Sequence, residues 1–577
     1  MGIVNNYINK LLKFIKKENK IYEKPWHKYY DEIPTHINYY EGSIYDKLEE
    51  TASEHGEKIA YKYYGTECTY KNFMKKIDNI SKALKQFNIV ENECVTLCLP
   101  NTPESFALIY AINKIGAIAN IIHPLSSTED IERALKEGNS GILFCSDVSM
   151  KKAKNIKVEN FILVPTSNSF PTVLKVLYNL KNKENLKVEG NKITWEKFLS
   201  TKIEEITYRK RKGTDPAAII YSGGTTGKPK GIIISNKNFN AMAQQAKSVC
   251  KEVRPGNSIL SCLPIFHVFG LAICCHTVLS AGLTCIILPK IDTKNINREI
   301  KKYKPNIMPA VPSILRISLN DKDPGKNAFQ NIKLVIVGGD YLPDDVKKSY
   351  IKYLNDHGSN AEIKIGYGLS EATGFSVSTA PLKENEAING TLGVPNPDID
   401  VKIFEVNSDV EKATGDIGEI CISGPTVMMG YINEDKETKK VLVKHNDDKI
   451  WLHTGDLGYI DETGRVFYSS RLKRMIITNG YNVYPIELEN IISKHESVSS
   501  CTVIGIPHKT KGQTPKAVIV LKEGIEPTLD LKSEIRMYCK KNIAAYAVPT
   551  EFEYRKSMPV TAIGKVAYRE LENSKKD

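Results

Sequence analysis

Residues 217–231 read AAIIYSGGTTGKPKG: Ala217, Ala218, Ile219 and Ile220 run straight into Tyr221, Ser222 and a loop of glycine, threonine and lysine. The small and branched apolar residues suit a strand buried on both faces. The loop has the chemistry of a phosphate cradle. Gly223, Gly224 and Gly227 let backbone N–H groups approach phosphate oxygens, Ser222, Thr225 and Thr226 add hydroxyl donors, and Lys228 and Lys230 add charge. A Walker loop needs Gly-Lys followed by Ser or Thr opening a helix, and Pro229 follows Lys228 here. Local chemistry alone leaves an exposed turn as the competing reading, so the decision falls to the rest of the chain.

Working outward, short branched-apolar runs alternate with helical patterns. CVTLCLP (94–100), GAIANIIHP (116–124), GILFCS (141–146), TCIILP (284–289), KLVIVGGD (333–340) and EIKIGYG (362–368) read as strands, and TPESFALIYAINKIG (102–116) and NREIKKY (297–303) as helices between them. This alternation predicts an α/β fold with parallel or mixed sheets flanked by crossover helices. From Gly390 the texture changes to short strands and turns, VKIFEV, GEICISG and WLHTGDLGYIDETGRVFYSS, which predicts a small antiparallel β unit. After Arg471, PIELENIISKHESVSSCTVIGIP, PKAVIVLKEG and a helix around Asp530–Lys541 predict a small α+β domain of about 100 residues.

Composition sets the outer bounds. The chain has 577 residues, 41% apolar and 25% charged, which is globular and excludes both a disordered chain and a many-spanning membrane protein. The 12 cysteines sit mostly in apolar runs without CxxC or Cys/His ligand spacing, as expected of buried free thiols in a reducing cytoplasm. The formal charge of +13 is mostly lysine spread along the chain. No basic stripe with interleaved aromatics occurs, so no nucleic-acid partner is expected.

Two segments bear on membranes. At the N-terminus, Val4, Tyr7, Leu11, Phe14 and Ile15 recur at helical spacing with Lys10, Lys13, Lys16, Lys17 and Lys20 between them. No signal peptide is formed, and residues 1–40 are expected to be a basic helical extension that either packs on its own domain or touches an anionic membrane surface. From Asn257 to Pro289 there is no Asp, Glu, Lys or Arg, long enough to span a bilayer. Pro264, Gly270, Gly282 and two histidines interrupt it, which favours a helix and a strand in a buried core over a membrane-embedded transport or binding protein.

The loop, with Tyr367-Gly368-Leu369-Ser370-Glu371, Trp451-Leu452-His453-Thr454-Gly455-Asp456, Arg471-Leu472-Lys473 and Gly564-Lys565, resembles the AMP-forming acyl-CoA synthetases of the adenylate-forming superfamily. The motifs fall in family order, and IPTHINYYEGSIYDKLEETASEHGEKIAY carries the likeness toward the N-terminus. The resemblance implies a large domain, 1–472, and a small mobile domain, 473–577, turning near Lys473. It implies ATP, Mg²⁺ and CoA as the cofactors and co-substrates, and a carboxylic acid that becomes an acyl-adenylate and then a thioester.

By the same resemblance, Ser222 to Gly227 and Lys230 hold the phosphates, while Thr225 and Glu371 contact Mg²⁺. Gly339, Asp340, Tyr367, Gly368 and Ser370 surround the adenine, and Asp456, Arg471 and Lys473 take the ribose and phosphate side. Lys565 is the expected catalytic lysine, bridging the attacking carboxylate and the α-phosphate. Asn479, Gly480 and Tyr481 are expected on the CoA path, and His267, Val311 and Gly366 at the acyl pocket. Arg474 stands where relatives often carry an acid. No Asp lines the expected pocket to hold an α-amino group, so an amino-acid substrate is disfavoured. The chain looks most like bacterial-type long-chain fatty acid–CoA ligases, with an aryl acid, or a carrier-protein thiol in place of CoA, left open. A cytoplasmic location follows, with contact at the inner membrane face depending on the N-terminal helix.

Overall fold

The computed structural model describes residues 24–573 except 191, 201, 204, 207, 209, 223–228, 291, 293, 480 and 562–565. Each strand run quoted above forms a strand. Cys94–Cys98, Ile118–Ile121, Ile142–Ser146, Asn160–Val164 and Pro216–Ser222 are parallel neighbours in an eight-stranded sheet. Lys230–Ser235 returns antiparallel to Pro216–Ser222, and Gly430–Tyr431 pairs beyond it. The glycine-rich loop therefore joins two paired strands, with Ser222 opposite Lys230. The helices begin where side chains satisfy their first N–H groups: Ser43, Thr102 and Ser235 each form reciprocal capping boxes, an arrangement worth about 1 kcal/mol per cap.

A second sheet, of fourteen strands, has a parallel centre running through Ile59–Tyr63, Thr284–Ile287, Ser258–Ser261, Ile307–Ala310, Leu334–Gly338 and Glu362–Tyr367. The antiparallel unit expected after Gly390 does not stand apart from it. Val377–Ser378 and Thr391–Pro395 carry the pairing from Glu362–Tyr367 to Val466–Arg471, Ile450–Ile460, Gly418–Ser423 and Asp400–Phe404, so one sheet runs from parallel into antiparallel. Between the sheets the core is apolar and tightly closed, with Phe73, Phe106, Tyr110 and Tyr350 fully buried.

The uncharged 257–289 segment lies in this core. It forms Ser258–Ser261, a π-helix over Phe269–Thr277 running into Val278–Ser280, and Thr284–Ile287. Gly270 is obligatory there, because a Cβ would sit 2.1 Å from the Pro264 carbonyl oxygen. His276, within the π-helix, is buried between Tyr110 Oη at 3.2 Å and Asn240 Oδ1 at 3.0 Å. No helix among the described residues is long and apolar enough to cross a membrane.

Of the expected N-terminal extension, residues 1–23 lie outside the described residues, and 24–40 form no long helix. A short 3₁₀ turn, Pro25–Tyr29, leads into a strap laid on the antiparallel strands. Lys24 pairs with Asp400, while His36 Nδ1, Ile37 N and Tyr39 Oη all meet the Asp398 carboxylate at 2.7–2.9 Å. At the other end of the chain, Ile476–Thr478, Tyr481–Val483, Val498–His508, Gly512–Leu521 and Glu551–Arg555 form a separate five-stranded sheet. The helices Pro485–Ile492 and Leu529–Asn542 close its own core of Ile492, Val503, Ala517, Ile519 and Ile535.

Candidate active site

The parallel strands end together. Ala310 registers with Val337, and Gly338 with Gly366, so Val311, Gly339, Asp340 and Tyr367 emerge side by side at the carboxyl edge of the second sheet. Ser258–Ser261 ends at the same edge, and the segment after it carries His267, whose Nδ1 accepts the Phe269 N–H at 3.2 Å. Ligands of open α/β sheets bind at such edges because loops there are free to vary. Three glycines keep the edge open or tightly drawn. A Cβ on Gly366 would press the Phe375 ring at 3.1 Å, one on Gly338 would stand 3.0 Å from the Gly366 carbonyl oxygen, and one on Gly368 would lie 2.4 Å from the Gly374 backbone.

The antiparallel strands turn back over this edge with a carboxylate. Asp456 registers opposite Arg471 across Ile450–Ile460 and Val466–Arg471. Arg471 Nε lies 2.9 Å from Asp456 Oδ1, and the Tyr367 hydroxyl donates to Asp456 Oδ2 at 2.8 Å. Thr454 fixes the bend, its Oγ1 accepting the Asp456 N–H at 3.0 Å and its carbonyl accepting from Arg471 at 3.3 Å. Burial and the adjacent Asp456 hold the Tyr367 phenol well above its ordinary range, and Asp456 holds the Arg471 guanidinium firmly protonated. Tyr367, Asp456 and Arg471, three residues expected from separate motifs, thus meet in one cluster.

A second cluster joins the two sheets through Tyr431, a residue that no motif signalled. Its hydroxyl donates to Glu371 Oε1 at 3.0 Å, and the Lys230 ammonium lies 5.0 Å above its ring. Lys230 also pairs with Glu437 at 2.5 Å, which pulls the Glu437 carboxyl down to about 2, with Lys440 adding to the effect. Glu371 itself is the middle residue of the 3₁₀ turn Ser370–Ala372, where the Met428 N–H donates to the Glu371 carbonyl at 2.8 Å. The carboxylate beside the phosphate-loop strand and the lysine that leaves that strand are therefore brought to one tyrosine.

Glu419, like Tyr431 and Glu437, is signalled by no motif. Its two oxygens accept the Gly455 N–H at 2.8 Å and face His453 Nδ1 at 2.9 Å, and His453 Nε2 meets His445 Nε2 at 3.0 Å. Cys421 lies directly opposite His453 in the strand register, and Glu419, Cys421 and His453 place ligand atoms within 4.8 Å of one another. The cysteine–histidine proximity absent from the linear sequence is thus created by strand pairing. Because Glu419 is already committed to His453 and Gly455, this cluster reads as a brace for the turn into Asp456. Burial pushes the Cys421 thiol strongly up, as expected of a neutral sulfhydryl.

Behind Gly366 and Phe375 lies a small apolar cavity of about 20 Å³, lined by Ile259, Ile273, Leu283, Ile307, Ile336 and Phe375 among others. Val311, expected at the acyl pocket, is buried at the N-cap of Pro312–Leu319 and does not line this cavity.

Other expected site residues sit elsewhere or outside view. Thr225 and the rest of 223–228, Gly480 and Lys565 lie outside the described residues, as does the side chain of Ser222. Asn479, with φ +51°, and Tyr481 occupy the turn between two strands of the C-terminal sheet, where Tyr481 stacks on Tyr546 with centroids 4.8 Å apart. Lys473 is exposed in the 3₁₀ turn Leu472–Arg474. Arg474 leaves the same turn to bond Glu489 Oε1 at 3.0 Å and to lie 3.5 Å above the Tyr568 ring. Val560 and Val566, which flank Lys565, pair across an isolated bridge.

Comparison with known proteins agrees with this geometry. The profile of the AMP-binding enzyme family matches residues 48–432, and that of the AMP-binding enzyme C-terminal domain matches 487–565. A long-chain-fatty-acid–CoA ligase of Bacillus subtilis (strain 168) is 29% identical over 561 residues, covering 95% of this chain and 98% of the relative. Its namesake in Salmonella typhimurium is 27% identical over 572 residues, covering 96% and 98%. Among solved structures, the anthranilate CoA ligase AuaEII in complex with anthranoyl-AMP superposes with a TM-score of 0.77 at 22% identity, covering 94% of this chain and 98% of that one. With the family profile spanning more than half of the chain, the protein belongs to the AMP-binding enzyme family of adenylate-forming acyl-CoA ligases.

Proposed function

We propose that this protein activates a long-chain fatty acid with ATP and transfers the acyl group to CoA. The observation that carries the adenylation step is the Tyr367–Asp456–Arg471 cluster at the carboxyl edge of the sheet. A buried carboxylate with two oxygens suits a vicinal diol, which donates two parallel hydrogen bonds, and Tyr367 offers a flat face for a base. Support for an apolar acid comes from the uncharged 257–289 segment that follows the sheet edge beside His267, and from relatives that carry the long-chain-fatty-acid–CoA ligase name over nearly their whole length.

The reaction has two halves. In the first, a carboxylate oxygen attacks the α-phosphorus of ATP, the bond to the β-phosphate bridge breaks, and pyrophosphate leaves. The meeting of two anions calls for fixed positive charge and backbone donors. Lys230 and Arg471 supply charge, the 222–227 loop supplies donors, and Lys565 bridges the attacking oxygen and the phosphate. In the second half, the CoA thiolate attacks the acyl carbonyl and AMP departs, with Asn479, Gly480 and Tyr481 along the thiol's path and the C-terminal domain turned about Lys473. Glu371 fits a Mg²⁺ site, since it is a half-buried carboxylate beside the phosphate-loop strand offering the hard oxygen this ion prefers. The ion when bound there, with Thr225 as a second contact, would offset phosphate charge.

The test is acid-dependent exchange of labelled pyrophosphate into ATP across acetate to palmitate and a benzoate series, with and without CoA. Exchange strongest with long-chain acids, and acyl-CoA formed on adding CoA, is expected. Exchange confined to benzoates would replace the fatty-acid reading with an aryl-acid one, and adenylation without transfer to CoA would point to a carrier-protein thiol.

A further inference from the structure

The helix Thr172–Lys181 is mounted inside out. Its sequence, TVLKVLYNLK, places Val173, Val176, Leu177 and Leu180 at i, i+3, i+4 and i+7, the spacing of an apolar face that ordinarily turns to a core. Here that face turns to solvent: the four side chains are 72, 53, 59 and 69% exposed, and Leu174 beside them is also exposed. No residue of the helix is buried. The polar face does the docking instead. The Tyr178 hydroxyl donates to Asp147 Oδ2 at 2.7 Å, Ser167 Oγ donates to Asn179 Oδ1 at 2.6 Å, and the Tyr178 ring meets Phe170 edge-on at 5.4 Å. The orientation is therefore held by specific bonds.

Exposing so much contiguous apolar surface is costly in water unless something covers it. The surrounding charge identifies the cover. Between Glu159 and Glu184 the chain has no acidic residue. Lys181 and Lys183 lie at and just beyond the end of the helix, while Lys175 and the Asp147 partner belong to the docked side, Lys175 donating to the Asn168 carbonyl at 3.5 Å. A second copy of the chain docked about a twofold axis would bring this basic rim against itself, like charge to like. An anionic bilayer meets both demands at once, with acyl chains for the apolar face and headgroups for the lysines. We propose that Thr172–Lys181 is a membrane-docking helix that lies in the headgroup layer of anionic membranes. This goes beyond the catalytic reading and does not depend on which acid is activated.

The test is sedimentation of the full chain with large vesicles of phosphatidylcholine, alone or mixed equally with phosphatidylglycerol, for the wild type and the Leu177→Glu/Leu180→Glu variant. The wild type is expected to partition onto the anionic vesicles, and the variant to lose about tenfold or more of that partitioning with an unchanged Tm in solution. A Leu177→Trp variant should show an emission blue shift on anionic vesicles. Equal partitioning of wild type and double variant, or a Leu177→Trp emission indifferent to vesicles, overturns the proposal. So does a large loss of Tm in the double variant, which would mean that another part of the chain covers the face. A wild-type dimer that the double substitution dissociates would assign the face to a second copy and likewise overturn it.

Discussion

Asp456 receives a hydroxyl, a guanidinium and a backbone-fixed bend within its own two strands and one neighbour, and this crowding gives it a measurable role. Asp456→Asn keeps the shape but removes the charge that Arg471 balances and one acceptor of the diol. Its KM for ATP should rise about tenfold or more, in line with the 1–3 kcal/mol attached to a charged hydrogen bond. Equal losses in acid KM and ATP KM would contradict a ribose role. Lys230 makes a second prediction at this scale. Its ammonium is held by Glu437 and must leave that partner to reach a phosphate. Glu437→Gln should therefore lower the ATP KM about twofold to fivefold, and Lys230→Ala should raise it. An unchanged KM in Glu437→Gln would make the pair a spectator.

Among the elements, the π-helix Phe269–Thr277 carries the clearest pH signature. Burial pulls the His276 imidazole down to about 3, so the fold keeps it neutral between Tyr110 and Asn240. The unfolded chain takes up that proton below about 6.5, so the group's contribution is complete above that pH and is lost as pH falls toward 3. The slope is about 1.4 kcal/mol per pH unit, or about 2 kcal/mol by pH 5. His276→Gln should start less stable at pH 7.5 yet lose less on acidification, read as a flatter curve of Tm against pH. Parallel curves would refute the assignment.

The π-helix also marks where linear sequence stops speaking. Runs such as ILFCS and LVIVG announce buried strands because both faces are apolar, and the sheet order then follows from short right-handed crossovers. A segment apolar all round has no periodicity to reveal its winding, so a helix was legible but its π form was not. The expected antiparallel unit was legible too, whereas its continuity with the parallel sheet depends on two short strands, Val377–Ser378 and Thr391–Pro395. At the site, Tyr367, Asp456 and Arg471 were readable because each sits in a distinctive motif. Tyr431, Glu437 and Glu419 were not, since their partners lie tens to hundreds of residues away and only the tertiary fold brings them together.

For the whole molecule, the proposed reaction assigns its two halves to two parts of the C-terminal domain. Lys565→Ala should abolish pyrophosphate exchange, a loss of about 10²-fold or more, while thioester formation from supplied acyl-adenylate continues. Gly480→Trp should do the reverse, leaving exchange measurable and blocking transfer to CoA. Equal loss of both half-reactions in either variant would refute the division of labour.

The Arg474 side chain bears on how such a domain turns. Through Glu489 and Tyr568 it is bolted to the C-terminal helix Pro485–Ile492 and to the segment just past Lys565. On the other side, Arg471 is clamped to Asp456 and belongs to the large domain's last strand. Only Leu472 and Lys473 lie between these two fixtures. A rotation of the small domain, as proposed, would be spent in the backbone torsions of those two residues and would open the Met475 N–H bond to the Arg471 carbonyl. The bearing of the proposed rotation would thus be two residues long, with Arg474 as the bolt that ties what lies beyond it into one piece.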